Sequence, residues 1–411
     1  MKNDEENQMD KNDHRIIGKE LDLFTFSELI GPGLPMWTPK GNVIREELDK
    51  FVWQLRAKYG YSRVTIPHIT RRELYEVSGH WEKFSDELFK ITSREGKEYA
   101  LKPMSCPHHT QIFARKSHSY REMPQRYAET TMVYRDEQSG ELSGLTRVLA
   151  ITQDDAHVFC RKSQIREEFL KIWDIVDTFC EAFKFTLRVR LSFRNQNDMK
   201  KYLGTKEVWD MAESELRKIA EERGAHFFEG PGEAALYGPK LDFMTKNSAG
   251  REWQVATIQL DMNLPERFDL ACINEKGERE RVTMIHAAIT GSLERCAAIL
   301  IEHYEGNFPL WLSPVQVKVI PVRTNHNEYA KKIFELLKGQ DIRAELDDAD
   351  ENLGSKVRDA KTNKIPYWIV IGDKEIEADK VTLESRDAGT LGQMSKEELV
   401  KKLLEEIKNK G

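Results

Sequence analysis

Between Arg135 and His157 the chain gathers side chains able to do chemistry. Gln153, Asp155 and His157 stand two residues apart in TQDDAHVF, so on a strand they share one face. An amide, a carboxylate and an imidazole make a poor packing face, because each must be hydrated or paired. Arg135 and Arg147 bracket the turn QSGELSG. Arg295 opens a later helix after Thr290-Gly291-Ser292, where small residues let a ligand approach the backbone. Arginine is always charged, and its planar fork pairs bidentately with phosphate. Spacing alone does not bring the three together, and a lone strand arginine more often sits in a surface ion pair. The five cysteines (106, 160, 180, 272 and 296) are scattered, with no C-x2-C, and no H-x3-H occurs, so no local metal motif exists. By spacing, Cys106, His157 and His286 read as packing or structural residues.

The elements that must position these side chains follow from periodicity. The runs ending at Arg135 and spanning Arg147 to Phe159 predict an antiparallel hairpin. Residues 40–59 carry Ile44, Leu48, Phe51, Val52 and Leu55 at helical spacing, and SRVTI after them reads as a strand stopped by Pro67. A helix is expected to end at Gly79, leaving His80 in a loop. Helices are predicted over 163–184 and 205–222 and in GSLERCAAILIEHYEG; strands in 98–101, FTLRVRLSF, LDFMT, EWQVATIQL and RVTMIH. NFPLWLSP, with Pro309 and Pro314, marks a domain boundary. Beyond it, VQVKVIPV, IRAELD, PYWIVIG and KVTLES alternate with helical stretches, which predicts a mainly parallel or mixed sheet with helices on its faces. The fold class is therefore α+β with an antiparallel sheet, followed by a small α/β domain. The expected division is a disordered tail over 1–13, one domain over 14–308 and a second over 309–411.

Composition narrows the class. With 39% hydrophobic and 32% charged residues, the 411-residue chain is an ordinary soluble globular protein. A formal net charge of −6 argues against a nucleic-acid binder that uses its whole surface, while leaving room for a local basic face. No apolar run approaches the roughly 20 residues of a membrane span. The polar start has no signal-peptide core, and the odd cysteine count points to a reducing compartment, hence the cytoplasm.

Longer strings carry a resemblance. Arg135-x-Glu137, a loop and Arg147 resemble motif 2 of class II aminoacyl-tRNA synthetases. TQDDAHVF, with KPMSCP upstream and MIHAAITGSLER downstream, resembles the threonyl-tRNA synthetases, and the likeness runs from about Asp13 to the end. It implies ATP-dependent activation of threonine to threonyl-adenylate and transfer to the 3′ end of threonine tRNA. Arg135 and Arg295 are then implied at the α- and γ-phosphates, with Arg147 assisting and Glu137 at the adenine. Gln254, Thr257 and Gln259 form the ATP and amino-acid floor. Gln153 and Asp155 hold the threonine amino group, with Tyr237 and Ser292 beside the substrate and Lys240 countering charge at the pyrophosphate. His80 matches the general base for transfer to the tRNA ribose. Cys106, His157 and His286 are implied to hold one Zn2+ per chain, its open position chelated by the threonine amino and hydroxyl groups; ATP enters with Mg2+. Valine lacks that hydroxyl, and a site that requires it rejects valine strongly. The 40–67 helix–strand unit resembles motif 1 and implies a homodimer. The second domain resembles the anticodon-binding domain of class IIa synthetases.

The chain also departs from the family pattern. Ser105 and His108 replace Asn and Gly in KPMNCPGH; Leu149, Ile151 and Ala287 replace Arg, Phe and Arg. Where the family has an Asn and an Arg at the anticodon, Asp350 and Glu384 stand here, while Arg358, Glu375 and Arg386 match. This sequence does not include the N-terminal editing module that many relatives carry, so misactivated serine is expected to be corrected in trans or tolerated. These departures leave a second expectation open, a threonine-activating paralogue that loads a variant tRNA or a carrier protein. Within the first strand of the floor, alternation does not put Gln254 and Gln259 on one face, so either a bulge intervenes or one side chain faces away.

Overall fold

A computed structural model describes residues 10–246 and 250–410. Of the expected tail, residues 1–9 lie outside the described residues; 10–13 form a turn, and Asp13 caps the helix His14–Glu20. The chain divides into two compact units. One comprises Ser27–Leu34 and Asp49–Cys296; the other takes in the described residues of Met1–Phe26, Pro35–Leu48 and Ala297–Gly411.

The first unit is built on an eight-stranded sheet of β1 (Ser62–Arg63), β2 (Gln125–Tyr134), β3 (Ala150–Cys160), β4 (Arg188–Phe193), β5 (Phe227–Pro231), β6 (Lys240–Lys246), β7 (Glu252–Asp261) and β8 (Thr283–Ala288). Their spatial order is β5-β4-β6-β7-β8-β3-β2-β1. The five central pairings are antiparallel, and only the two edge pairings are parallel. The helix Ile165–Glu181 buries Ile165, Phe169, Ile172, Val176 and Phe179, the stripe its spacing predicts. Phe51 stacks on Phe179 with ring centroids 5.6 Å apart.

The hairpin differs from expectation in its extent. Strand β2 begins at Gln125, β3 begins at Ala150, and Arg135, Glu137 and Arg147 all lie in the loop between them. Within that loop Ser143 bridges to Arg147, a short 3-10 turn forms at Ser139–Glu141, and Arg147 is tied to Glu137 and Glu141. SRVTI is a strand only at Ser62–Arg63. The short strands Phe227–Pro231 and Gly389–Met394, rich in glycine and proline, had no alternating signal.

The second unit carries a five-stranded sheet of β9 (Val317–Pro321), β10 (Ala344–Leu346), β11 (Tyr367–Ile371), β12 (Val381–Ser385) and β13 (Gly389–Met394), ordered β10-β9-β11-β12-β13. The first two pairings are parallel and the last two antiparallel, so the sheet is mixed. Alternation along β9 sends Val317 and Val319 into a core with Ile333, Leu337, Leu399 and Leu403, and Ile320 to the opposite face with Ala360 and Trp368. Lys318 shares that second face; its buried ammonium is held by Asp347, Glu345 and Asp359.

Candidate active site

Directly opposed residues of an antiparallel sheet point to the same side. Lys240 opposes Gln259, Gln259 opposes His286, and His286 opposes His157. Four strands from distant parts of the chain thus deliver one transverse row of polar side chains. A neighbouring row holds Arg190, Asp242 and Thr257. Just past the second row the register of β6 and β7 shifts: Phe243 pairs with Ala256 and Met244 with Gln254, leaving Val255 as an extra residue. This bulge settles the alternation problem, turning Gln254 to the side of Thr257 and Gln259.

Cys106 joins the row from the first position of the helix Cys106–Ala114. One donor atom each from buried Cys106, His157 and His286 lie within 4.8 Å of one another. Their outer partners determine what the inner atoms can do. His286 Nε2 lies 2.9 Å from Asp261 Oδ2 and donates to it, which leaves Nδ1 bare. His157 Nδ1 lies 2.8 Å from His109 Nδ1, and His109 Nε2 faces Glu129 at 3.4 Å. With a proton on each of His109 Nε2 and His157 Nδ1, His157 Nε2 is free to accept. It lies 3.1 Å from His286 Nδ1, a spacing at which one cation could take both lone pairs. Two nitrogens sharing a tetrahedral zinc are separated by roughly 3.3 Å. Burial, with Asp155 and Asp261 beside it, pushes the Cys106 thiol well up, while burial and the neighbouring His109 and His286 hold His157 well below the usual imidazole range. A buried thiol and two imidazoles, with carboxylates behind the imidazoles, are the donor set a zinc ion fits.

Tyr237 packs its ring 4.9 Å from that of His286. It is held there by the turn at Gly238, where a Cβ would lie 1.8 Å from the Leu260 carbonyl oxygen. Gln259 Nε2 donates to the Gly238 carbonyl at 3.1 Å. Asp155 accepts from the Ser105 amide at 3.3 Å and stands 3.6 Å from His157 Nε2; burial raises its carboxyl, against the opposing pull of His109 and His286. Gln153 bridges to Ser292, and its Oε1 is buried without a partner among the described residues. Ser292 donates to Glu294 at 3.0 Å.

The arginines converge as well. Arg147 is half-exposed and bonded to Glu137 at 2.6 Å. Arg295 donates to the Thr146 carbonyl at 3.1 Å, and burial followed by the charges of Arg135 and Arg147 pulls it below the usual guanidinium range. Arg135 lies over the Phe84 ring, its Nε buried and unpartnered among the described residues. Three guanidinium groups close enough to repel, one of them short of an acceptor, make a site for a polyanion. On the floor, buried Asp242 gathers Ser192 Oγ at 2.6 Å, Thr257 Oγ1 at 2.8 Å, Arg190 at 3.0 Å and Lys240 at 3.1 Å. Arg190 also reaches Gln254 Oε1 at 3.3 Å.

His80 departs from the expected loop position. It is the first residue of the short helix His80–Lys83 and is buried, because Gly79 at φ 85° ends the preceding helix and reverses the chain inward. Burial first, then His286, Arg267 and Arg135, hold its imidazole down at about 3.

Sequence reading overlooked the supporting groups: Asp261, His109 and Glu129 behind the metal ligands, Asp242 and Arg190 in the floor, and buried Lys102, which donates to Thr131 at 2.7 Å. Asp154 also escaped it. Alternation sends Asp154 away from Asp155, where it pairs with buried Arg56 at 2.6 Å and accepts from the Ile289 and Thr290 amides. Adjacent acidic residues in one short string give no signal of which faces the site. Among the substitutions, Ser105 Oγ is buried and unpartnered among the described residues, and His108 Nε2 bonds Thr70 Oγ1. Leu149 packs where a side chain at Gly33 would lie, Ile151 is half-buried, and buried Ala287 accepts from Arg56 through its carbonyl.

The second-unit residues divide. Asp350 and Arg358 are exposed. Glu384 accepts from Thr390 at 2.9 Å. Glu375 is bound to the Gly372 amide and Thr382, and Arg386 is tied to the backbone carbonyls of Lys364, Asn307 and Phe308. Both hold the fold.

Residues 89–304 match the tRNA synthetase class II core domain (G, H, P, S and T), and residues 316–406 the anticodon binding domain. The threonine–tRNA ligase of Porphyromonas gingivalis is 47% identical over 93% of the chain and 59% of that protein. That of Deinococcus radiodurans is 47% identical over 97% and 62%. The chain therefore spans about three-fifths of the length of these curated relatives. The solved RNA binding domain of threonyl-tRNA synthetase from Cryptosporidium parvum Iowa II superposes with a TM-score of 0.92 at 35% identity, covering 96% of this chain and 98% of that one. With both domain matches in register and a 35% identical structure covered almost completely, the chain belongs to the threonyl-tRNA synthetase family, carrying its class II core and its anticodon-binding domain.

Proposed function

We propose that this chain, in the cytoplasm, activates L-threonine with ATP to threonyl-adenylate and transfers the threonyl group to the 3′ end of threonine tRNA. The reading assigns catalysis to 14–308 and anticodon contact to 309–411. The observation that carries it is the buried group of Cys106, His157 and His286, whose donor atoms lie within 4.8 Å of one another, in the same unit as Arg135, whose Nε is unpartnered among the described residues. A zinc ion there would take up the amino and hydroxyl groups of threonine together and so exclude valine. Asp155 and Gln153 supply acceptors for the ammonium, and Tyr237 closes the side chain pocket. Arg135 and Arg295 bind the triphosphate and offset the charge that builds at the α-phosphate as the threonine carboxylate attacks, with Mg2+ accompanying ATP. Arg147 and Glu137 hold the nucleotide end, and Lys240, supported by Asp242, faces the departing pyrophosphate.

Threonine-dependent ATP–pyrophosphate exchange by zinc-replete protein tests the reading. Exchange with threonine, weaker exchange with serine and almost none with valine is expected; no threonine-dependent exchange refutes it. One observation favours a second reading, a paralogue with another acceptor: the acidic pair Asp350 and Glu384 offers acceptors where RNA recognition needs donors and positive charge. Anticodon-dependent charging of threonine tRNA transcripts rules that reading out.

A further inference from the structure

His80 has one ring nitrogen held and the other bare. The Ser78 hydroxyl donates to the Tyr75 carbonyl oxygen at 3.2 Å, and its oxygen lies 2.7 Å from His80 Nδ1. A carbonyl only accepts, so the single hydroxyl proton goes to it, and the imidazole must supply the proton of the second bond. His80 is thereby fixed as the Nδ1–H tautomer, with its lone pair on Nε2. That Nε2 is buried and unpartnered among the described residues. The ring lies 6.2 Å from that of Tyr237, which in turn packs on His286. Ser78 is fully buried, and Arg267 fastens the same turn by donating to the Val77 carbonyl at 2.7 Å. The relay from the Tyr75 carbonyl through Ser78 to His80 is thus shielded from water.

We propose that Ser78 is a positioning residue for acyl transfer, setting the His80 tautomer so that Nε2 presents its lone pair to the acceptor hydroxyl. The inference rests on the transfer half of the proposed function. In that step Nε2 takes the proton of the terminal ribose hydroxyl. The ribose oxygen bonds to the threonyl carbonyl carbon, the bond from that carbon to the phosphate oxygen breaks, and AMP leaves with its electron pair. With Ser78 absent, either ring nitrogen can carry the proton, and the productive tautomer is no longer enforced.

Mixing preformed enzyme–threonyl-adenylate complex with threonine tRNA transcript measures transfer in a single turnover, while pyrophosphate exchange measures activation. General-base catalysis is worth about 10²–10⁴-fold. Ser78→Ala is expected to lower transfer at least about tenfold relative to activation and to cause no further loss in a His80→Ala background. An unchanged ratio of the two rates, or additive losses in the double variant, overturns the inference. Nitrogen NMR of the unsubstituted, histidine-labelled protein gives a reading independent of how the variants fold: His80 should carry its proton on Nδ1, and a proton on Nε2 overturns the inference. Failure of the unsubstituted protein to form threonyl-adenylate or charge tRNA would instead refute the proposed function.

Discussion

Replacing Asp261 with asparagine isolates the contribution of one carboxylate to the metal-binding group. Asp261 is fully buried and uses both oxygens: Oδ2 faces His286 Nε2 at 2.9 Å, while Oδ1 accepts from the Asn263 and Leu264 amides at 2.7 and 3.0 Å. Asparagine has the same shape but one acceptor oxygen. Keeping that oxygen on His286 would aim the NH2 at two amide donors, forfeiting two hydrogen bonds, each worth about 1 kcal/mol net. The side chain is therefore expected to keep its oxygen on the amides and turn its NH2 toward His286 Nε2. That nitrogen must then accept, so the ring proton moves to Nδ1, the atom needed for the metal. Loss of such an outer partner lowers metal affinity by about 10–100-fold, or about 1.4–2.7 kcal/mol. Competition with a chromophoric chelator measures the zinc affinity, and a urea titration confirms that folding is retained. Zinc affinity within about twofold of the parent would show that Asp261 does not govern the tautomer of His286.

Three further outcomes are expected. Cys106→Ser should lose zinc and threonine affinity while ATP binding survives; unchanged zinc content in the purified variant would show that Cys106 is not a ligand. Arg56→Leu strands buried Asp154, both groups being at most 3% exposed, and should cost about 3–5 kcal/mol in a urea titration, whereas removing a surface pair such as Arg71–Glu73 should leave the midpoint nearly unchanged. The 40–67 unit should support a homodimer, so sedimentation at micromolar concentration should give twice the mass of one chain, and a single monomeric species would contradict it.

Elements were legible wherever a periodic apolar stripe ran long. The helix Ile165–Glu181 follows from five apolar residues at helical spacing, and β3 from two β-like runs joined by a polar turn, the strand geometry then placing Gln153, Asp155 and His157 on one face. The second unit's alternation of strands and helices was equally visible, except that its last two pairings are antiparallel. Elements without such a stripe escaped. Phe227–Pro231 contains glycine and proline, and nothing local marks it as a partner of β4.

The sequence by itself determined which groups are present and, through long motif strings, the family they resemble. Periodicity is a local property, so it could orient one strand's side chains but not align that strand with another. Tertiary structure decided that Lys240, Gln259, His286 and His157 form one row, because strand register depends on hydrogen bonding between segments far apart in the chain. It decided that Val255 bulges and turns Gln254 to the site, since a bulge is defined by a mismatch with the partner strand. It also separated Asp155, which faces the site, from Asp154, whose charge is met by Arg56 behind the sheet. And it placed the groups that govern the ring protons. Whether an imidazole can accept at one nitrogen depends on what stands at the other, and Asp261, His109 and Ser78 reach those nitrogens only once the chain has folded.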